Sequence, residues 1–209
     1  MINHRCGVAI MLNVLRWRPE LVKDLTGKVL EIGVGEGTNL RHYRRAEHVF
    51  AIEPDADDVA KAQAVAKRTA IPMTVEVATA EQLPYPDSHF DHIVSSLVLC
   101  SVQDQHQALR ELRRVLKPGG TLHLVEHVRP QNELLYNLFR VLTPRWRRVA
   151  CNCHLDRPTI EVLQEMGWEV TVLRRIFMFV RMDARPLEQA RWSARSTGSN
   201  VQFYEQSYS

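Results

Sequence analysis

The sequence predicts an α/β fold built on a doubly wound, mostly parallel sheet, and three observations predict it. Short apolar runs alternate with helix-forming stretches through most of the chain, a pattern that places helices on both faces of a parallel sheet. The first apolar run turns through Gly33, Gly35 and Gly37, and Glu53 closes the second run, about twenty residues downstream, the distance that marks a nucleoside-binding α/β site. The chain is 209 residues long, 45% apolar and 24% charged, which suits one hydrophobic core rather than two.

Strands are predicted at Lys28–Ile32, His48–Ile52, Met73–Val77, His92–Ser96 and Thr121–Glu126. Between them, helices are expected over Asn39–Arg45, Ala56–Arg68 and Gln105–Leu116, with another over Pro158–Met166. Asp55 stands as N-cap of the second, followed by alanines that favour helix. Pro118 stops the third, and Gly119 and Gly120 permit a tight reversal into the next strand. Two further apolar runs, Gly167–Leu173 and Ile176–Val180, leave only Arg174 and Arg175 to turn between them, so the carboxy-terminal strand is expected to be atypical. From these elements we expect a helical segment or partial lid at 1–27, a domain at 28–185 and a polar, flexible tail at 186–209, where Phe203 and Tyr204 offer docking side chains.

The glycine turn limits the ligand. Side chains there would collide with a molecule lying on the backbone, and the following helix start offers unpaired N–H groups. A dinucleotide fingerprint needs G-x-G-x-x-G, yet Gly37 comes one residue early and Glu36 fills the place where a glycine helps seat a pyrophosphate. A carboxylate would repel a diphosphate and tolerate an ammonium or a sulfonium. Glu53 can accept hydrogen bonds from both hydroxyls of a ribose.

The order Glu31, Gly33, Gly35, Gly37 resembles motif I of the class I S-adenosylmethionine (SAM) methyltransferases. The stretch from Ala80 through Glu81, Pro84 and Asp87 to Asp91 and the turn Leu112–Leu122 resemble later motifs of that superfamily, so the likeness covers roughly Lys28 to Trp168. It implies the Rossmann-like fold of that class, with Gly167–Leu173 as a sixth strand and Ile176–Val180 as its antiparallel partner, SAM as cofactor and methyl transfer as activity. The cofactor contacts implied are Glu31, Gly33, Gly35, Gly37, Asn39, Glu53, Pro54, Thr79, Ala80, Glu81, Ser96 and Leu97. Glu31 is equally suited to bonding loop N–H groups. Thr79 replaces the acidic residue that often reads the adenine amino group, leaving adenine to the Ala80 backbone and apolar packing.

Methyl transfer from a sulfonium needs mainly proximity, orientation and exclusion of water. Candidate groups follow the fifth strand: Glu126, His127, Cys153, His154, Asp156 and Arg157. Leu97–Val102, Glu126–Val128 and Cys153–Arg157 are similar to segments of the methyltransferase-like 7 family of thiol S-methyltransferases and its bacterial relatives, with His154 and Asp156 in place of that family's asparagine and threonine. The resemblance implies a small-molecule acceptor, a thiol first, and His127, Cys153 and His154 as the residues serving it. A lipid or quinone head group methylated on nitrogen or carbon, or SAM binding without catalysis, remain the alternatives. A dehydrogenase is disfavoured by Gly37 and by the lack of a second mononucleotide-binding half.

Cys6, Cys100, Cys151 and Cys153 are too few and irregular for a disulfide framework, so a reducing, cytoplasmic setting is expected. Cys100 reads as a small buried residue, and C-x-C-H at Cys151–His154 lacks a second ligand pair, so no metal is expected. A net charge of +3, without a dominant basic block, argues against nucleic acid; Arg145–Arg148 reads as a solvated helix end. Val8–Trp17 and Leu134–Leu142 form apolar stripes suited to core packing or to a roof over the acceptor, and Gly7–Leu15 is too short to span a bilayer, which leaves peripheral membrane contact open. The oligomeric state is not encoded in any visible pattern.

Overall fold

The computed structural model describes residues 16–148 and 152–187. A seven-stranded sheet forms the centre: β1 (Thr26–Ile32), β2 (Arg45–Glu53), β3 (Met73–Val77), β4 (Phe90–Ser96), β5 (Leu116–His127), β6 (Trp168–Ile176) and β7 (Phe179–Pro186). Their spatial order is β3-β2-β1-β4-β5-β7-β6. The first five are parallel, and β7 slots antiparallel between β5 and β6. Strand order reverses between β1 and β4, so a crevice opens at their carboxyl ends, where ligands of such sheets lie.

Each face of the sheet is sealed by its own apolar cluster. On one side Leu109 and Leu112 of α3 (Gln105–Val115) and Val162 and Leu163 of α5 (Thr159–Glu165) pack on Ile93, Leu122 and Met182. On the other, Trp17, Leu21 and Val22 of α1 (16–22) and Val59 and Ala62 of α2 (Ala56–Ala66) pack on Val29, Val49, Val94 and Val125. Asp55 caps α2 as expected, accepting from the Asp57 and Asp58 N–H groups. α1 therefore belongs to the core rather than to a lid; the rest of the expected lid, Val8 to Leu15, lies outside the described residues, as do Cys6, Cys151, Phe203 and Tyr204.

Three expectations are corrected. No α-helix fills Asn39–Arg45: a single 3-10 turn spans Leu40–His42 and β2 already begins at Arg45. Tyr43 leaves the turn in an extended conformation because its hydroxyl reaches back to Glu31. The carboxy-terminal hairpin turns later than expected: β6 runs through Arg174 and Arg175 to Ile176 with a register irregularity between Val172 and Arg174, the chain reverses at Phe177 (φ +54°) and Met178, and β7 continues to Pro186. Leu187 is still tied in, through Gly167 and Arg113, so order extends past residue 185.

α4 (Glu133–Trp146), capped by Asn132, is not packed into the core: Leu134, Leu138, Val141, Leu142 and Trp146 are exposed. Arg145, Arg147 and Arg148 are solvated, as the sequence suggests. Among the described residues no helix is long and apolar enough to cross a membrane.

Candidate cofactor and acceptor site

The glycine turn leaves β1 with Gly33, Gly35 and Gly37 all at positive φ (+60°, +52° and +84°), where a side chain is strained. Their surroundings differ. A Cβ on Gly33 would strike the Val98 side chain, and one on Gly37 would stand 3.0 Å from the Ala62 Cα, whereas one on Gly35 would meet nothing within 4 Å. Gly33 and Gly37 serve packing; Gly35 faces open space. The Gly35 N–H donates to Glu53 Oε2 (3.0 Å), and the Asp55 N–H points at Oε1 (3.4 Å). Burial lifts Glu53 above its ordinary carboxylate range, against those two amides.

Glu31 is fully buried. Its Oε1 accepts from Asn39 Nδ2 and its Oε2 from the Tyr43 hydroxyl, both at 2.8 Å, so its partners are side chains rather than loop amides. Burial drives its pKa up to about 7, opposed by these bonds and by Arg18. Arg18 on α1 escaped the sequence reading: nothing in its neighbours marks it, because helix docking alone brings it to Glu31. Glu36 turns outward to Lys61 (2.8 Å), leaving the turn free of its charge. Pro54 and Thr79 are exposed at the rim, and Ala80 is buried. The Glu81 carboxylate accepts from the Gln103 and Asp104 N–H groups, so this side chain braces the approach to α3 instead of pointing at the turn.

At the end of β4 lies Ser96, whose buried Oγ has no partner, and then Leu97, held at φ +63°. Non-glycine residues in that region cost of order 1–3 kcal/mol and gather at functional sites. The bend is enforced by Glu126 on β5, which accepts from Ser95 Oγ (2.6 Å) and from the N–H groups of Val98, Leu99 and Cys100 (3.1, 3.1 and 3.4 Å). Arg157 braces the same loop by donating to the Leu99 and Val102 carbonyls (2.7 and 2.6 Å). Both residues, candidates for chemistry in the sequence, are committed to holding this loop.

His127, the last residue of β5, is buried against Phe179, and its Nδ1 has no partner. Cys153 lies beside it, and its sulfur is 3.7 Å from that of the buried Cys100. The Cys100 thiol chiefly, then His127 and Trp146, favour the Cys153 thiolate, while Cys100 is raised. His154 anchors through its backbone, donating to the Cys100 carbonyl (2.9 Å). Burial first, with Arg157 and Arg147, lowers its ring to about 4 against the pull of Asp156, so it stands neutral near pH 7. Among the described residues no cluster of His, Cys, Asp and Glu suits a metal ion.

Among the described residues seven buried polar side-chain atoms lack partners, and four of them, on Arg18, Asn39, Ser96 and His127, belong to residues at or beside the carboxyl edge of the sheet. Buried polar groups are normally paired. Together with the open space at Gly35, they fit a polar, nucleoside-bearing cofactor.

The methyltransferase-domain family matches residues 30–124. Thiol S-methyltransferase TMT1B of Rattus norvegicus is 35% identical over 147 residues, 66% of this chain and 60% of that protein. The Homo sapiens TMT1B is 32% identical over 163 residues, 74% and 67% of the two chains. This chain thus spans three-fifths to two-thirds of the length of these relatives. The crystal structure of YcgJ from Bacillus subtilis superposes with a TM-score of 0.65 at 22% identity, covering 78% of this chain and 71% of that one, a likeness of fold. The glycine turn, the sheet order and these relatives agree: the chain belongs to the class I SAM-dependent methyltransferases, a family that uses SAM as methyl donor.

Proposed function

We propose that the protein transfers a methyl group from SAM to a small-molecule acceptor, and that the acceptor is a thiol. The observation that carries this reading is His127: a buried imidazole with a free Nδ1 at the end of β5, beside Cys153. The similarity to thiol S-methyltransferases supports a thiol as the acceptor.

In this reading Gly35 lets the cofactor lie on the backbone, Glu53 accepts from the ribose hydroxyls, and the Arg18 guanidinium and Asn39 Oδ1 take the amino-acid end, with Glu31 as the buried counter-charge. Gly33 and Gly37 shape the turn. Ala80, flanked by Pro54, Thr79 and the Glu81 backbone, borders the adenine; Ser96 and Leu97 line the cofactor from β4. When bound, SAM supplies an electrophilic methyl carbon on a good leaving group. His127 then removes the acceptor proton, so that the thiolate forms where it can attack the methyl carbon. An ordinary thiol ionises a little above neutrality, so a neutral imidazole suffices as base. Cys153 contacts the acceptor and orients His127, and the neutral His154 lines the same loop.

The test is S-adenosylhomocysteine release from the purified chain with SAM and a panel of small thiols. Product that requires the thiol and falls on His127→Ala supports the reading; SAM binding without product from any thiol contradicts it. A second reading, methylation of a lipid or quinone head group, is favoured by the exposed apolar residues of α4 together with Ile176 and Phe177. Turnover that appears only with liposomes carrying the acceptor would select it.

A further inference from the structure

Two loops run side by side beneath His127. Asn152 Nδ2 donates to the Ser101 carbonyl (2.7 Å), the His154 N–H to the Cys100 carbonyl (2.9 Å), and Arg157 to the carbonyls of Leu99 and Val102. These bonds hold residues 152–157 in register with 99–102 and bring the Cys153 and Cys100 sulfurs to 3.7 Å. Cys100 is 1% exposed and Cys153 half-buried, so only one of the pair meets solutes. A disulfide needs the sulfurs at about 2.05 Å, a short approach for side chains already facing each other across fixed backbones.

We propose that Cys153 is a site of reversible oxidation by hydroperoxides, with Cys100 as its resolving thiol. The Cys153 thiolate attacks the peroxide, its S–O bond forms as the O–O bond breaks, and the peroxide's remainder leaves as an alcohol or water after taking a proton. Cys100 then attacks the sulfenic sulfur, the S–S bond forms, and the hydroxyl departs with the Cys100 proton as water. Two thiols and one peroxide thus give one disulfide, one alcohol or water, and one further water. Reactive thiols of this kind are partly exposed, electropositive and paired with a resolving cysteine. The Arg157 guanidinium supplies positive charge near Cys153 and the His127 ring lies within hydrogen-bonding reach of its sulfur, while the contact with Cys153, burial and then Glu126 keep Cys100 protonated until its partner is oxidised. The closed disulfide withdraws Cys153 from His127, which would silence acceptor chemistry at that loop until a reductant reopens it. The oxidation itself does not rest on the identity of the acceptor.

The experiment is peroxide treatment of the reduced full-length chain followed by peptide mapping under non-reducing conditions, before and after dithiothreitol. The proposal expects a Cys100–Cys153 linked peptide pair that dithiothreitol opens. It expects Cys100→Ser to convert the reversible product into a sulfinic acid at Cys153 that dithiothreitol does not restore. A linkage through Cys6 or Cys151 in the wild-type chain, or Cys153 overoxidised beside a reduced Cys100, overturns it. The wild-type map decides without any variant, and without any measurement of methyl transfer.

Discussion

The Gly35 N–H and the Glu53 carboxylate meet at 3.0 Å, which makes the glycine turn of β1 and the end of β2 one unit. Glu53 is thereby pre-positioned, with the Gly35 N–H on Oε2 and the more distant Asp55 N–H at Oε1, beside a glycine whose Cβ position is open. Gly35→Arg should fill that space and abolish SAM binding, at a backbone cost of roughly 1–2 kcal/mol, with near-native far-ultraviolet circular dichroism.

Gly37→Ala should behave in the opposite way. Its Cβ would press on Ala62 and Leu40, and overpacking of a filled core costs about 1–3 kcal/mol. A lower thermal midpoint is expected; unchanged stability together with loss of SAM affinity would reverse the roles assigned to these two glycines.

Glu31 gives the fold a pH dependence whose sign follows from its raised pKa of about 7. Below the unfolded value near 4.5 the group is protonated in both states and its contribution is fully present. As pH rises, the unfolded chain ionises first, and stability declines until the folded group ionises near 7, a total of about 3 kcal/mol. Glu31→Gln should therefore flatten chemical denaturation midpoints between about pH 5 and pH 8. Parallel pH profiles of variant and wild type would show that Glu31 ionises normally.

Glu126→Ala removes the one acceptor that holds Ser95 and three loop amides. Leaving those donors buried and unpaired should cost on the order of 3 kcal/mol, or roughly 6–12 °C in thermal midpoint. A midpoint within a degree or so of wild type would mean the loop is held by Arg157 alone.

His127→Ala should lower turnover by about 10²–10⁴-fold, the usual worth of a general base, with SAM affinity retained. Equal losses in both would assign His127 to packing against Phe179 instead.

How far the sequence carries depends on how local each determinant is. Periodicity and glycine spacing placed the first five strands and brought Gly35 to Glu53, because parallel strands in this order leave their carboxyl ends nowhere else to go, whereas the hairpin turn expected at Arg174 and Arg175 lies at Phe177 and Met178. The helix expected over Asn39–Arg45 failed because a tertiary bond, Tyr43 to Glu31, outweighs local propensity. Arg18 at Glu31 and Cys100 against Cys153 arise from packing between distant segments. The services of Glu126 and Arg157 to the loop after β4 were hidden for the same reason, since a charged residue at a strand end reads alike whether it meets ligand or backbone.

The most direct measurement is a calorimetric titration of SAM into the wild-type chain and into Glu53→Ala. Two charge-assisted hydrogen bonds to ribose are at stake, so the variant should bind about 10²-fold or more weakly while its circular dichroism stays native. Equal SAM affinity for the two would contradict the site at the ends of β1 and β2.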